Sequence, residues 1–171
     1  MKRLLRALAL CLLALTLLCA SVHAESKTDW EYIEYYYSLF CDESRDDLAR
    51  LIEIDGQYDD VVNVGIYLFV YGELPRNYVT KAEARDLGWS GGPLWRYLPG
   101  RAIGGDRFGN YEGLLPEDDN ISYTECDIDT INAGSRGAKR LVYDNEGRIY
   151  YTEDHYESFT LLYEEGMYDA N

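Results

Sequence analysis

Positive charge is scarce in this chain. Its 171 residues include 16 lysines and arginines against 31 aspartates and glutamates, which gives a net charge of −15. Proteins that bind nucleic acid through an extended basic surface have the opposite balance, so that class is disfavoured. Hydrophobic residues nevertheless make up 47% of the chain, which is too high a fraction for an intrinsically disordered protein.

Long hydrophobic runs are also missing, apart from one at the N-terminus. Basic residues at positions 2, 3 and 6 precede an unbroken run of apolar and small residues over 7–22, and Val-His-Ala at 22–24 fits a small-residue cleavage site. The pattern predicts an export signal removed near Ala24, with a retained membrane anchor as the alternative, although the run is short for a bilayer. We therefore expect a secreted, extracellular protein without a membrane segment in its mature form.

Cysteine and histidine are rare as well. Two of the four cysteines fall in the leader, and the remaining two, Cys41 and Cys126, form either a disulfide or a pair of buried free thiols. His155 is the only histidine outside the leader. Two cysteines and one histidine make a structural zinc site improbable, and we expect neither a metal nor another cofactor.

The mature chain begins with helical patterns. Residues 28–54 have a helical hydrophobic period broken by a charged stretch, which predicts two short amphipathic helices. Residues 61–71 are strongly apolar and are followed by Gly72, which predicts a well-buried helix. Residues 90–106 are predicted to form loops because they are rich in glycine and contain proline.

Strand patterns follow the helical ones. The predicted strands cover residues 123–129, 140–143, 148–151 and about 157–163, of which the middle two form a hairpin. This order indicates an α+β domain in which N-terminal helices pack on a C-terminal antiparallel β-sheet. The predicted divisions are a signal peptide (1–24), a helical N-terminal extension (25–58), a main domain (59–163) and an acidic tail (164–171).

Lys81 is unusual for its position in the chain. Thr80 and Glu83 form a capping box for a short helix that ends before Gly88, and Lys81 falls in its first turn. A helix N-terminus disfavours a cation. Either the ammonium and the free amide groups face an anion such as phosphate together, or the lysine is solvated and points away.

The strand-rich half contains further groups that can do chemistry. His155, between Asp154 and Tyr156, is the only mature side chain of a type that exchanges protons readily near neutral pH. Arg136 and Arg140 stand four residues apart and suit bidentate binding of phosphate.

Three carboxylates alternate along one predicted strand. Glu125, Asp127 and Asp129 therefore share one face, which is costly unless cations lie opposite. Arg136 and Arg140 can provide those cations, and the alternative is a surface ladder of salt bridges that contributes little.

Residues 74–84, Leu-Pro-Arg-Asn-Tyr-Val-Thr-Lys-Ala-Glu-Ala, resemble the barnase family of secreted guanyl-preferring microbial ribonucleases. Further similar motifs follow in the family's order, at 87–89, 99–100, 103–106, 108–113, 125–128, 136–137, 140–143 and 154–156. The resemblance spans about residues 60–162 and leaves out 25–58. It implies the microbial ribonuclease fold and a metal-independent endoribonuclease that cleaves single-stranded RNA 3′ of guanosine.

The resemblance also implies roles for the residues of the reaction centre. Glu125 is the general base that takes the proton of the ribose 2′-hydroxyl, and His155 is the general acid that protonates the departing 5′-oxygen. The product is a 2′,3′-cyclic phosphate, which the same pair then hydrolyses. Lys81, Arg136 and Arg140 match the phosphate-binding positions of the family.

Residues 108–113 match the family's guanine-recognition loop. Glu112 is implied to bind the guanine edge, and Tyr156 packs beside the scissile nucleotide. Two substitutions fall within the loop, since Tyr111 stands where the family usually has arginine and Gly109 where serine is common. A tyrosine can stack on a base but does not neutralise a phosphate. The implied substrate-binding residues are Phe108, Asn110, Tyr111, Glu112 and Tyr156.

RNA is the implied partner of a monomeric enzyme, and DNA is excluded because the reaction needs a 2′-hydroxyl. A barstar-like inhibitor inside the producing cell is also implied. From residue 73 onward the chain has 10 basic and 19 acidic residues, a net charge of −9, which predicts slow association with long RNA and a preference for short or unstructured RNA.

Two other functional classes remain in competition with the enzyme. One is a catalytically weak ribonuclease fold that acts as a binding module through its N-terminal extension. The other is a calcium-dependent surface protein, for which the acidic run at residues 117–120 is the only support. That run lacks the ligand spacing of known calcium loops and is better explained as a solvated turn.

Overall fold

Four short helical segments and six strands make up the part of the chain that this computed structural model describes, residues 45–164. The leader, Cys41, the first predicted amphipathic helix and the tail beyond residue 164 lie outside it. The helices are α1 (Arg45–Leu48), α2 (Val61–Tyr71), α3 (Lys81–Asp86) and a 3₁₀ turn, Leu94–Arg96. Within these residues, no helix has the length and apolar character needed to cross a membrane.

The strands lie in the sheet in the same order as in the sequence. They are β1 (Tyr78–Val79), β2 (Ala102–Phe108), β3 (Tyr123–Asp127), β4 (Arg140–Asp144), β5 (Ile149–Thr152) and β6 (Thr160–Tyr163). The pairs from β2 to β6 are antiparallel, whereas the short β1 runs parallel to β2. The predicted α+β fold is confirmed, with this one parallel pair as an addition.

Helix α2 forms where the sequence predicts it because both of its ends are capped. Asp60 Oδ1 accepts a hydrogen bond from the amide of Asn63 at 2.9 Å, which satisfies one of the unpaired donors of the first turn. At the other end Gly72 adopts a left-handed φ of 71°, and its amide bonds to the carbonyl of Leu68. The helix buries Val64, Ile66, Tyr67 and Leu68 against the sheet.

The two faces of the sheet have different partners. One face packs against α2 through residues such as Cys126, Leu141, Ile149 and Leu162, which share one buried cluster with the helix. The other face is divided into an aromatic half and a charged half. A buried cluster that includes Tyr123, Val142 and Tyr150 occupies the first, and Glu125, Asp127 and Arg140 occupy the second.

The core of the domain extends further towards the N-terminus than residue 59. Leu48 and Ile52, which the sequence analysis assigned to an extension, lie fully buried in the same cluster as α2. The predicted second amphipathic helix is reduced to the single turn α1, and Leu51, one of its expected apolar residues, is 60% exposed. The chain turns immediately after Leu48, so the predicted helical period does not continue.

Strand β2 is the largest difference from the prediction, which placed Gly104, Gly105 and Asp106 in a loop. Glycine is a poor strand former, but Gly104 is required here by close packing, since a Cβ atom would lie 2.6 Å from Cys126 Cβ and from the ring of Tyr78. Gly105, at φ 92°, falls where the β2–β3 register shifts. The last strand was also predicted too long, since it begins at Thr160 rather than at 157.

Cys126 is a free thiol in the cluster beneath α2, which agrees with the alternative of a buried free cysteine. Desolvation raises the pKa of this thiol, and the neighbouring Asp127 carboxylate adds to the shift. Cys41 lies outside the described residues, so the possible disulfide between Cys41 and Cys126 stays a prediction.

Candidate active site

Glu125 is the centre of the charged half of the open sheet face. Its side chain is only 10% exposed and accepts hydrogen bonds on both oxygens, from Lys81 Nζ on Oε1 and from the Tyr156 hydroxyl on Oε2. Burial raises the pKa of the Tyr156 phenol, and its hydrogen bond to Glu125 raises it further, so the phenol keeps its proton and remains a donor. The carboxylate is thereby fixed in one orientation.

Lys81 reaches Glu125 because Asp106 fixes the start of α3. Asp106 lies opposite Glu125 in the β2–β3 register, and its Oδ2 accepts a hydrogen bond from the Lys81 amide at 2.9 Å. The capping box of Thr80 and Glu83 is present as predicted. The sequence left two alternatives for Lys81, an anion site shared with the free amides of the helix and a solvated side chain. The structure differs from both, because the Lys81 amide is bonded to Asp106 and the ammonium faces the Glu125 carboxylate.

Asp127 anchors both arginines of the strand-rich half. Arg136 binds it in bidentate fashion, with Nε 2.6 Å from Oδ2 and Nη2 2.7 Å from Oδ1, while Arg140 Nε lies 2.9 Å from Oδ1. Asp127 and Arg140 are each 2% exposed, and Arg136 is 24% exposed. The predicted cations opposite the strand carboxylates are therefore present, but this cluster is buried and is not a surface ladder of salt bridges.

Asp129 does not share the sheet face of Glu125 and Asp127, because it lies beyond the end of β3 at φ 58° and pairs with Lys139.

Arg140 was predicted to bind phosphate, and its guanidinium is buried. Its two Nη atoms donate to the backbone carbonyls of Arg136, Gly137 and Lys139. These hydrogen bonds order the backbone that presents Arg136. Arg136 is the more exposed cation of the pair, at 24% against 2%.

His155 lies on an exposed turn after β5. His155 and Tyr156 both have left-handed backbones, at φ 61° and 75°, and two such non-glycine residues cost on the order of 1–3 kcal/mol each. The His155 amide bonds to Ala138 O at 3.2 Å, which ties the turn to the loop behind Arg136. The imidazole ring lies 4.8 Å from the Tyr156 ring, centroid to centroid. The turn therefore brings His155, Tyr156 and, through Tyr156, Glu125 together.

Asp154 maintains this turn, a role that the sequence analysis did not assign. Its carboxylate accepts hydrogen bonds from the hydroxyls of Thr152 and Ser158 and from the amides of Glu157 and Ser158, over 2.5–3.0 Å. These bonds, with that of the Ser158 hydroxyl first among them, lower the pKa of Asp154 to about 2. The arrangement offsets the backbone strain at the two following residues.

Replacing Asp154 with alanine is expected to reduce turnover by roughly 10-fold or more, because His155 and Tyr156 lose their fixed positions. It should also reduce the free energy of unfolding at neutral pH by on the order of 1–2 kcal/mol. Because folding lowers the pKa of Asp154, its carboxylate makes its full contribution to the stability of the fold above about pH 4. That contribution decreases as the pH falls towards 2.

Denaturant titrations of the wild type and Asp154→Asn across that pH range test the linkage. The stability difference between the two proteins should shrink as the pH falls from about 4 to 2. A difference that does not depend on pH would contradict the assigned role of the carboxylate.

The predicted recognition loop follows directly from β2. Phe108 packs against Tyr156, with ring centroids 5.1 Å apart, so the loop begins beside the reaction centre. Asn110, predicted to bind substrate, also folds the loop, because its side-chain amide donates to Leu115 O and its Oδ1 accepts from the Leu115 amide. Tyr111 is 94% exposed, and Glu112 is also exposed.

The ring of Tyr111 lies over the backbone of Gly109. A Cβ atom at position 109 would lie 2.4 Å from that ring, and the exposed tyrosine would have to move to make room for it.

Three residues near the site were not singled out from the sequence. Asp106 binds the first amide of α3, which lies 25 positions earlier in the chain, so no local pattern reveals it, whereas Asp154 comes directly before the turn that it holds. The sequence gives less indication of a role for Trp89, whose ring faces the Arg136 guanidinium at 5.7 Å.

The acidic run at residues 117–120 is a turn in which Asp118 accepts a hydrogen bond from the Asn120 amide. No group of three or more potential metal ligands occurs within residues 45–164.

Comparison with known proteins gives consistent matches. A sequence profile described as ribonuclease matches residues 69–163. A ribonuclease of Bacillus intermedius is 48% identical over 117 residues, 67% of this chain and 67% of its own length. A ribonuclease of Heyndrickxia coagulans is 47% identical over 101 residues, 58% of this chain and 92% of its own. Guanyl-specific ribonuclease St of Saccharopolyspora erythraea is 46% identical over 57 residues, 33% of this chain and 56% of its own.

An α+β domain that gathers a carboxylate, a lysine, an arginine pair and a histidine on one sheet face has the architecture of a microbial ribonuclease. The profile match covers more than half of the chain, and the relatives agree with it. The chain belongs to the barnase family of microbial ribonucleases, and the predicted family and fold are confirmed.

Proposed function

We propose that this protein is an exported endoribonuclease that cleaves single-stranded RNA 3′ of guanosine by transphosphorylation. The observation that carries the proposal is Glu125, a buried carboxylate fixed between Lys81 and Tyr156, on the same strand as the Asp127 that holds Arg136. The reaction needs one base, one acid and cations for the phosphoryl oxygens, and this sheet face provides each type of group.

In the first step Glu125 takes the proton of the 2′-hydroxyl, and the 2′-oxygen attacks phosphorus. The bond from phosphorus to the 5′-oxygen breaks, and His155 donates a proton to that oxygen. The products are a 2′,3′-cyclic phosphate and a free 5′-hydroxyl. In the second step His155 takes a proton from water as the water oxygen attacks phosphorus. The bond from phosphorus to the 2′-oxygen breaks, Glu125 returns its proton to that oxygen, and the product is a 3′-phosphate.

Lys81 and Arg136 are the cations assigned to the equatorial phosphoryl oxygens. Both side chains are partly exposed, at 29% and 24%, and both are oriented by carboxylates, so neither has to be ordered when substrate binds. The guanine preference rests on the loop over residues 108–113, in which Glu112 is exposed and free to accept from a base edge. Guanyl-specific ribonuclease St supports this preference as a relative.

The proposal is tested with the dinucleotides GpU, ApU and CpU and the purified protein in EDTA. Guanosine 2′,3′-cyclic phosphate should form faster than its adenosine and cytidine counterparts. Cleavage without base preference would reject the role of the loop and keep the enzyme. A folded protein that cleaves none of the three would reject the proposed reaction and favour a binding module with a ribonuclease fold.

A further inference from the structure

Positive and negative charge are segregated along the domain. Residues 76–101 contain five basic and two acidic side chains, a net charge of +3, whereas residues 102–129 contain one basic and eight acidic, a net charge of −7. The first segment, here called the basic lobe, comprises β1, α3 and the 3₁₀ turn. Two of these cations are neutralised by carboxylates from outside the segment, Arg76 by Asp55 and Lys81 by Glu125. The local excess of positive charge therefore rests on Arg85, Arg96 and Arg101, and at physiological salt it acts within about 8 Å.

Arginine and tryptophan occur in pairs on the basic lobe. The guanidinium of Arg85 lies 6.0 Å from the ring centroid of Trp89, and that of Arg96 lies 5.6 Å from the ring centroid of Trp95. Arg85 and Arg96 are exposed, and within residues 45–164 neither forms an ion pair. Trp95 and Tyr97 are also exposed, at 37% and 41%.

The lobe is continuous with the reaction centre. Trp89 contacts two guanidinium groups, that of Arg85 on α3 and that of Arg136, the partly exposed cation that the proposed function assigns to the phosphate. Lys81 and Arg85 are one helical turn apart and therefore lie on the same side of α3. Trp89 and Leu94 share one buried cluster, which fixes the 3₁₀ turn, and so Trp95 and Arg96, against the same core.

We propose that the basic lobe binds the single-stranded RNA that flanks the scissile nucleotide, with Arg85 and Arg96 on backbone phosphates and Trp95 stacked on a base. The proposal deepens the proposed ribonuclease function and rests on it. Cations interleaved with exposed aromatic rings are the common means by which proteins hold single strands without reading their sequence. Stacking on one aromatic side chain stabilises binding by about 1–3 kcal/mol per base, which corresponds to roughly 5- to 150-fold in affinity.

The test compares GpU with a seven-nucleotide DNA strand that carries one central riboguanosine and so has one cleavable position. Arg85→Gln combined with Arg96→Gln should raise KM for the longer strand by about 5- to 50-fold and leave kcat for it unchanged. The kinetics of GpU should not change. The slope of log(kcat/KM) against log salt for the longer strand should become less negative by about 1.4, since each lost single-strand phosphate contact contributes about 0.7.

Trp95→Ala should raise KM for the longer strand alone, through the loss of stacking. Arg50→Gln is the matched control, because it removes one exposed charge next to α1, on the opposite side of the sheet from Glu125, and should leave both substrates unaffected. Thermal unfolding of all variants should match the wild type. Equal KM values for the double variant and the wild type on the longer strand would overturn the proposal, as would an equal effect on GpU.

Binding of an all-deoxy strand, followed by fluorescence anisotropy, separates this proposal from the proposed reaction. If the wild type cleaves neither substrate, the proposed reaction fails. The basic lobe is still supported if the double variant binds the all-deoxy strand at least 5-fold more weakly than the wild type does. Binding that is the same for both proteins would reject the lobe whatever the catalytic result.

Discussion

Replacing His155 with alanine is expected to lower the turnover of RNA by about 10²–10⁴-fold, the usual contribution of a positioned acid, and to leave the free energy of unfolding nearly unchanged. The side chain is exposed, and the hydrogen bond that ties the residue to Ala138 comes from its backbone amide. Because position 155 has a left-handed φ of 61°, His155→Asn is the better second variant, since asparagine tolerates that conformation.

An activated substrate separates the acid from the base. A p-nitrophenyl ester of guanosine 3′-phosphate releases a phenolate that needs no proton, so His155→Ala should cleave it within about 10-fold of the wild-type rate. Glu125→Gln should remain strongly impaired on both substrates, because the 2′-hydroxyl must still lose its proton. Equal losses for His155→Ala on the activated ester and on GpU would contradict the assignment of His155 as the acid.

Asp127→Asn is expected to destabilise the domain by about 3–5 kcal/mol, the usual effect of removing one partner from a buried ion pair. The substitution keeps the shape of the side chain but leaves Arg140, which is 2% exposed, without its counter-charge and Arg136 without its bidentate partner. Turnover should fall as well, because Arg136 is no longer oriented. Guanidinium chloride titrations monitored by tyrosine and tryptophan fluorescence measure the stability change.

Asp129→Asn is the control for this experiment, since it is the same chemical change two residues further along. Asp129 is 47% exposed and pairs with a partly exposed Lys139, so the variant should lose no more than about 1 kcal/mol. Similar losses in the free energy of unfolding for the two variants would show that the buried cluster contributes no more to stability than the exposed pair does.

The helices that the sequence predicts well are those whose signals are local. The caps of α2 and α3 depend on residues within four positions of each helix end, and both are formed as predicted. Strand β2 could not be predicted in the same way, because Gly104 is explained by its close packing on Cys126 and Tyr78, which are distant in the sequence. The rule that glycine disfavours strands is overridden here by close packing between neighbouring strands.

The chemical groups of the site were predictable from the sequence motifs, but their division of labour was not. Arg136 and Arg140 look equivalent in the sequence, yet the register that places Arg140 directly opposite Asp127 buries it and leaves Arg136 at the surface. The bond between Tyr156 and Glu125 joins residues 31 positions apart, so no local pattern reveals it. The basic lobe was not predicted either, because the net charge of −15 for the whole chain gives no indication that residues 76–101 have a net charge of +3.

The strand order of the sheet has a consequence for how the chain acquires its structure. Strands β2 to β6 are paired in sequence order, so each pairing closes a single loop and none needs a crossover. Such a chain can assemble one hairpin at a time, with β4 and β5 joined by a four-residue turn as the nearest pair. Pairing between sequence neighbours predicts that the β4–β5 hairpin forms early and that the longer β2–β3 and β3–β4 loops close later.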